Sequence, residues 1–192
     1  MEAFLVSAGV VALAEIGDKT QLLAFVLAAR YRRPLPIIAG ILCATIVNHS
    51  LAGAVGSWLV HALGPDLLRI ALALSFFAMA VWILVPDKLD AGALDQAPRY
   101  GVFGTTVVSF FLAEMGDKTQ IATVALAAKY ASFYAVVAGT TVGMLLANVP
   151  AVLVSDRLAG RLPTRLVHAL AALIFAALGV VVLAGGAAGL LG

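Results

Sequence analysis

At 192 residues, with 63% hydrophobic residues, 11% charged residues and a mean hydropathy of +1.08, the chain is far more apolar than a soluble domain, in which about 25% of residues are charged. Its 12 Lys and Arg against 10 Asp and Glu leave a formal charge of +2, which gives no reason to invoke a nucleic-acid partner, and its single cysteine excludes an intramolecular disulfide. Several apolar stretches of about 20 residues are long enough, at 1.5 Å per residue, to cross a ~30 Å hydrocarbon core as helices, and strand alternation is absent. The expected fold class is therefore an all-α integral membrane protein.

Six transmembrane helices are predicted in chain order: Ala3 to Ala29, Pro36 to Val60, Leu67 to Val85, Val102 to Ala128, Phe133 to Val154 and Leu166 to Ala184. The Met1-Glu2 start lacks a basic flank, so the first segment reads as a retained span rather than a cleaved leader. Arg32, Arg33 and Pro34 follow the first helix, Gly64-Pro65 separates the second from the third, and Pro86 closes the third. A polar linker, 87–100, with Asp90, Gly92, Asp95 and Pro98, divides the chain into three-helix units 1–86 and 101–192. Cys43, inside an apolar run, reads as a small buried hydrophobe. Trp58 and Trp82, near helix ends, read as interfacial anchors.

The two units carry one cassette twice, 99 positions apart: AEIGDKTQLLAFVLAARY from Ala14 and AEMGDKTQIATVALAAKY from Ala113, identical at 11 of 18 positions. Ala39-Gly40 and Ala138-Gly139 continue the match, and Gly64-Pro65 falls near Leu162-Pro163, which extends the repeat to a whole unit. With an odd number of spans per unit, the second copy enters the membrane from the opposite side, as in inverted-repeat transporters whose sites lie near the midplane. Setting aside Lys19 and Lys118, a chain with its N-terminus outside places Arg30, Arg32, Arg33, Lys88, Arg99, Arg157, Arg161 and Arg165 in inner loops and Arg69 and Lys129 in outer ones. That bias predicts both termini outside the cytoplasm, in a cell inner (plasma) membrane, and accounts for the basic loops as topology signals.

A charged side chain near a bilayer centre costs at least ~2.5–3.5 kcal/mol, so a duplicated charged cassette calls for a use. On a continuous helix Glu15 and Asp18 share a face, as do Glu114 and Asp117, and facing repeats would bring the four carboxylates together. Gly17 and Gly116 permit either close helix approach or a local break that frees carbonyls. Thr20, Gln21, Thr119 and Gln120 add neutral oxygens, and Asn48 and Asn148, nearly equivalent under the repeat, either add amide oxygens or bond between helices. Such hard oxygen donors suit Ca²⁺, Mn²⁺ or Mg²⁺ rather than Cu⁺ or Zn²⁺. Four carboxylates and two lysines sum to −2, the complement of one divalent cation. Carboxylates crowded together out of water are neutralised by protons when no metal binds, so metal and protons would compete for one site, the physical basis of antiport.

A competing reading makes Glu15 with Lys19, and Glu114 with Lys118, i,i+4 pairs that only glue helices, although Asp18 and Asp117 would then lack a local cation. The remaining candidates are less distinctive. His49 has no histidine counterpart and reads as a packing residue, a proton shuttle or a selector of Mn²⁺ over Ca²⁺, while Met115 reads as a core contact and His61 and His168 receive no role.

Glu-x-Gly-Asp-(Lys/Arg)-(Thr/Ser), present twice in a small six-helix protein, resembles the signature of the GDT family of membrane cation/proton exchangers, which includes Golgi manganese and calcium transporters and bacterial manganese exporters. The resemblance covers essentially the whole chain. It implies exchange of Mn²⁺ or Ca²⁺ for protons, with Glu15, Asp18, Glu114 and Asp117 as binding residues and no resident cofactor. The family's acidic linker corresponds to Asp87, Asp90 and Asp95, here short and interspersed with Lys88 and Arg99. Two other readings stay open: an exporter of small cationic organic solutes such as amino acids, whose amine the carboxylates would bind, and a non-transporting membrane scaffold. An enzyme is not expected, since no nucleophile accompanies the carboxylates, nor is an ATP-driven pump, since no phosphate-binding Gly-x-x-x-x-Gly-Lys motif is present. The expected partners are the metal ion, the lipid bilayer and, in a homo-oligomer, further copies of the chain.

Overall fold

A computed structural model describes residues 1–85, 100–154 and 164–184. The described residues form eight helices: α1 Glu2–Glu15, α2 Lys19–Tyr31, α3 Pro34–Ala62, α4 Pro65–Trp82, α5 Gly101–Glu114, α6 Lys118–Tyr130, α7 Phe133–Leu153 and α8 Thr164–Ala184. Residues 86–99, including Lys88, Arg99 and the linker aspartates, lie outside the described residues, as do Arg157, Arg161 and Leu162-Pro163.

Eight helices stand among the described residues where six were expected, because the first and fourth predicted spans are each broken inside the cassette. Gly17 and Gly116 adopt φ of +85° and +77°, conformations open to glycine and costly for a residue with a Cβ. Ile16 and Met115 before them are extended, and Asp18 and Asp117 after them, at φ −80° and −81° with ψ 169°, are the N-caps of α2 and α6. Each break is closed by its own cassette. Asp18 N–H donates to the Glu15 carbonyl at 3.1 Å, and Gly17 N–H donates to Gln21 Oε1 at 2.9 Å; Asp117 N–H to the Glu114 carbonyl (3.1 Å) and Gly116 N–H to Gln120 Oε1 (2.7 Å) repeat the pattern. A glutamine three positions past the N-cap reaching back to the entering backbone is a variant of the capping box.

The correspondence continues through the next turn. Arg32 and Ala131 terminate α2 and α6 in the left-handed region, at φ 51° and 47°, and Pro34 and Phe133 then open α3 and α7. Each of these pairs is 99 positions apart, so the sequence repeat is a backbone repeat.

Packing follows the same offset. α1 lies along α7 and α3 along α5, while α3 also meets α6 and α7, α2 meets α7, and α4 meets α8. A Cβ on Gly139 would lie 2.4 Å from the Phe4 carbonyl oxygen and 3.0 Å from Ser7 Cβ; on Gly40 it would lie 3.0 Å from the Phe103 carbonyl oxygen and 2.7 Å from Thr106 Cβ. These glycines let α7 approach α1, and α3 approach α5, more closely than any side chain allows, which is how helices associate where no hydrophobic force drives them together. Gly139→Val is therefore expected to destabilise the fold by about 1–3 kcal/mol, because the obstructing atom is backbone. Gly64→Ala, at φ −65° with nothing within 4 Å of the added methyl, serves as the neutral control, with thermal unfolding in detergent as the readout.

Polarity is distributed inside out. The buried set includes Glu15, Asp18, Asp117, Lys118, Asn48 and His49, while Leu74, Leu146, Leu173, Val81 and Trp58 stand exposed. Pro34–Ala62, Pro65–Trp82, Phe133–Leu153 and Leu166–Ala184 are long and apolar enough to cross a membrane, and Gly101–Glu114 is a shorter apolar helix. Apolar exterior and polar interior suit a lipid surrounding. Cys43 belongs to that exterior: it is exposed, contrary to the buried position expected, because α3 turns residues 42, 43, 46 and 47 outward and 41, 44, 45 and 48 inward.

Candidate functional site

The cassette residues of both halves meet in the interior, but not through the shared helix faces expected. Because the helices break between Glu15 and Asp18 and between Glu114 and Asp117, the carboxylates are placed by helix ends: the glutamates close α1 and α5, the aspartates cap α2 and α6. Glu15, Glu114 and Asp117 each bring a carboxylate oxygen within 4.8 Å of the others, at 0%, 1% and 3% exposure. Three buried carboxylates at that spacing, drawn from both halves, have the donor chemistry of a divalent-cation site. Thr20 Oγ1 donates to Glu15 Oε2 at 2.5 Å and Thr119 Oγ1 to Glu114 Oε2 at 3.0 Å, so each threonine orients the glutamate of its own cassette. The opposite oxygens, Glu15 Oε1 and Glu114 Oε1, have no partner among the described residues, and Asp117 Oδ2 is likewise without one.

Asp18 stands outside the three-carboxylate set and holds Lys118 Nζ at 2.7 Å, while Lys19 Nζ holds Asp117 Oδ1 at 2.9 Å. The lysines are therefore crossed between the halves. These pairs run to the aspartate of the other cassette rather than to the glutamate four positions back, because the break takes each lysine off the helix that carries its glutamate. Both aspartates, which the helix-glue reading would leave without a local cation, receive one from the other half. The two pairs differ in burial: Lys118 and Asp18 are both 1% exposed, whereas Lys19 is 23% exposed.

Asn48 and Asn148 are fully buried. Asn48 Nδ2 donates to the Phe111 carbonyl at 3.2 Å and Asn148 Nδ2 to the Met144 carbonyl at 3.1 Å, leaving both Oδ1 atoms without a partner among the described residues. The 99-residue offset pairs His49 with Asn148 and Asn48 with Ala147, so the two asparagines are one position out of register rather than equivalent. His49 is also fully buried, with both ring nitrogens unpartnered among the described residues. Gln21, besides tying Gly17, donates Nε2 to the Ala147 carbonyl at 3.0 Å, which fastens α7 to the first break. Gln120, among the described residues, bonds to Gly116. Met115 is exposed, not the core contact expected.

Sequence reasoning missed one residue at the breaks. His168 of α8 brings Nε2 to 2.7 Å from the Ile16 carbonyl, a contact between residues 152 positions apart that no local pattern announces.

Residues 3–91 and 102–189 match the family model described as Divalent cation/proton antiporter GDT1. The chain is 49% identical over 176 residues to the "Putative manganese exporter" of Vibrio cholerae serotype O1, covering 91% of this chain and 87% of that protein. It is 29% identical to a GDT1-like protein of Synechocystis sp., over 91% of this chain and 93% of that one, and 26% identical to "GDT1-like protein 4" of Oryza sativa subsp. indica, over 91% and 70%. No solved structure matches the chain. With the family model spanning both halves and the cassette geometry repeated in each, the chain belongs to the GDT1 family of divalent cation/proton antiporters.

Proposed function

We propose that this protein exports Mn²⁺, with Ca²⁺ as the alternative ion, from the cytoplasm across the cell inner membrane in exchange for protons, at a site between its two halves. The observation that carries the reading is the convergence of Glu15, Glu114 and Asp117 within 4.8 Å, buried and contributed by both cassettes. A compact cluster of carboxylates fits an ion better than an organic amine with its substituents. Asp18 completes the site when Lys118 releases it, and Thr20, Gln21, Thr119, Gln120, Asn48 and Asn148 support it as orienting groups or neutral oxygens. The "Putative manganese exporter" from Vibrio cholerae favours Mn²⁺ as the first ion to test.

The mechanism follows from charge. Four carboxylates and two lysines carry −2, which one divalent ion or two protons neutralise, and a low-dielectric interior disfavours leaving the charge uncompensated. Metal entry draws carboxylate oxygens from the lysines and displaces protons; metal departure returns them. Exchange requires the site to face each side in turn, and two inverted three-helix repeats, 1–86 and 101–192 joined by linker 87–100, supply two nearly equivalent arrangements between which it can alternate. In this reading α1 with α2, and α5 with α6, each make one interrupted span, giving six spans with both termini outside the cytoplasm.

Proteoliposomes with an acidic interior and a neutral exterior are expected to take up Mn²⁺, because outward proton flow drives metal inward; reversing the pH gradient should reverse the net movement, and a protonophore should collapse it. Uptake of neither Mn²⁺ nor Ca²⁺ by folded protein under the favourable gradient would overturn the proposal. Competition between the two ions for the same flux identifies the preferred one.

A further inference from the structure

We infer that His168 is a positioning residue of the ion site, holding the first cassette break in place through the Ile16 carbonyl; the inference rests on the exchange function proposed above. Ile16 follows the last residue of α1 and is extended, at φ −66° and ψ 114°, so its carbonyl leaves the helical ladder and needs a partner from elsewhere. The His168 ring supplies it at 2.7 Å, and because a carbonyl only accepts, Nε2 carries the hydrogen. The held carbonyl sits between Glu15, one of the three converging carboxylates, and Gly17, whose φ of +85° makes the break. α8 thus reaches across from the second half to fix the backbone that aims Glu15.

Among the described residues the second break has no such hold. The offset of 99 takes His168 to Arg69, which lies in α4 and faces Asp66 at 3.6 Å. Among the described residues no side chain donates to the Met115 carbonyl, and Met115 is 54% exposed where Ile16 is partly covered. α8 packs on α1, whereas α4 and α5 share no comparable contact. Among the described residues, two breaks alike in backbone are therefore held differently, the first by its cassette and His168 and the second by its cassette.

The test compares the full-length parent with His168→Leu, His168→Gln and Arg69→Ala. Amide hydrogen exchange in detergent reads the hold directly and needs no knowledge of the ion: His168→Leu should speed exchange across 14–20 and leave 113–119 unchanged. In proteoliposomes His168→Leu should raise the half-saturating Mn²⁺ concentration about tenfold, the scale of one lost hydrogen bond, with a smaller effect on maximal rate. His168→Gln, which keeps an N–H donor, should restore much of both, and Arg69→Ala should match the parent. Unchanged exchange across 14–20, unchanged half-saturation, or a Gln variant as impaired as Leu would each overturn the inference. Absence of flux in the parent would instead sink the exchange reading, and a change in amide exchange without parental flux would reduce His168 to a structural contact.

Discussion

Glu15→Gln and Glu114→Gln variants are expected to fold and insert as the parent does and to lose cation/proton exchange by at least about 100-fold. Loss of a group that merely supports a metal ligand costs about 10- to 100-fold in affinity, and here the substitution removes a charge from a cluster of three. Glutamine keeps the shape, and its remaining oxygen can still accept from Thr20 or Thr119, so the helix break survives while the charge that attracts metal and carries the proton is gone. Mn²⁺ flux into proteoliposomes under a fixed pH gradient is the measurement. Glu2→Gln is the control, since Glu2 lies at the exposed start of α1 and meets Tyr130 there rather than the cluster. Wild-type flux in either cluster variant would remove the carboxylates from the mechanism.

Lys118→Met is expected to destabilise the protein by about 3–5 kcal/mol, and Lys19→Met by less. The chemistry deleted is the same; the surroundings are not. Lys118 and Asp18 are each 1% exposed, so removing the lysine withdraws a close cation from a carboxylate out of reach of water. Asp117 is buried too, at 3%, but its lysine is 23% exposed, so the Lys19 pair is closed on one side only and removing that lysine disrupts less buried structure. Thermal unfolding in a single detergent measures both. Asp18→Asn combined with Lys118→Met should recover much of the loss, because the double variant removes both buried charges together. Equal losses for the two lysines would mean that the difference in burial carries no energetic weight.

The two lysine pairs also bear on how metal enters. A cation that must displace Lys19 from Asp117 meets a partly open pair, whereas one that must displace Lys118 from Asp18 meets a closed one.

Much of this molecule is written in its residues. Composition alone requires a lipid-facing exterior, because 63% hydrophobic content cannot be hidden inside 192 residues, and the exposed Leu, Val and Trp side chains bear that out. The doubled cassette marks both the repeat and the place where polar groups gather, and its glycine, aspartate and glutamine contain the means of breaking a helix: a residue free to take positive φ, an N-cap, and a side chain that reaches back to the entering backbone. The choice of a break over close packing is a point at the cassette that local pattern leaves open. Both uses need a glycine, and only the surrounding packing selects between them.

Tertiary structure decided the partners. Which lysine meets which aspartate, that Glu15, Glu114 and Asp117 converge while Asp18 stands apart, that Cys43 faces outward, and that His168 reaches Ile16 are all contacts or exposures set by how separate helices pack. The physical reason is range. Backbone conformation and capping are settled within about one helical turn and recur wherever the cassette recurs, whereas an ion pair or hydrogen bond between residues 100 or 152 positions apart depends on where close-packed glycines such as Gly40 and Gly139 let the helices meet.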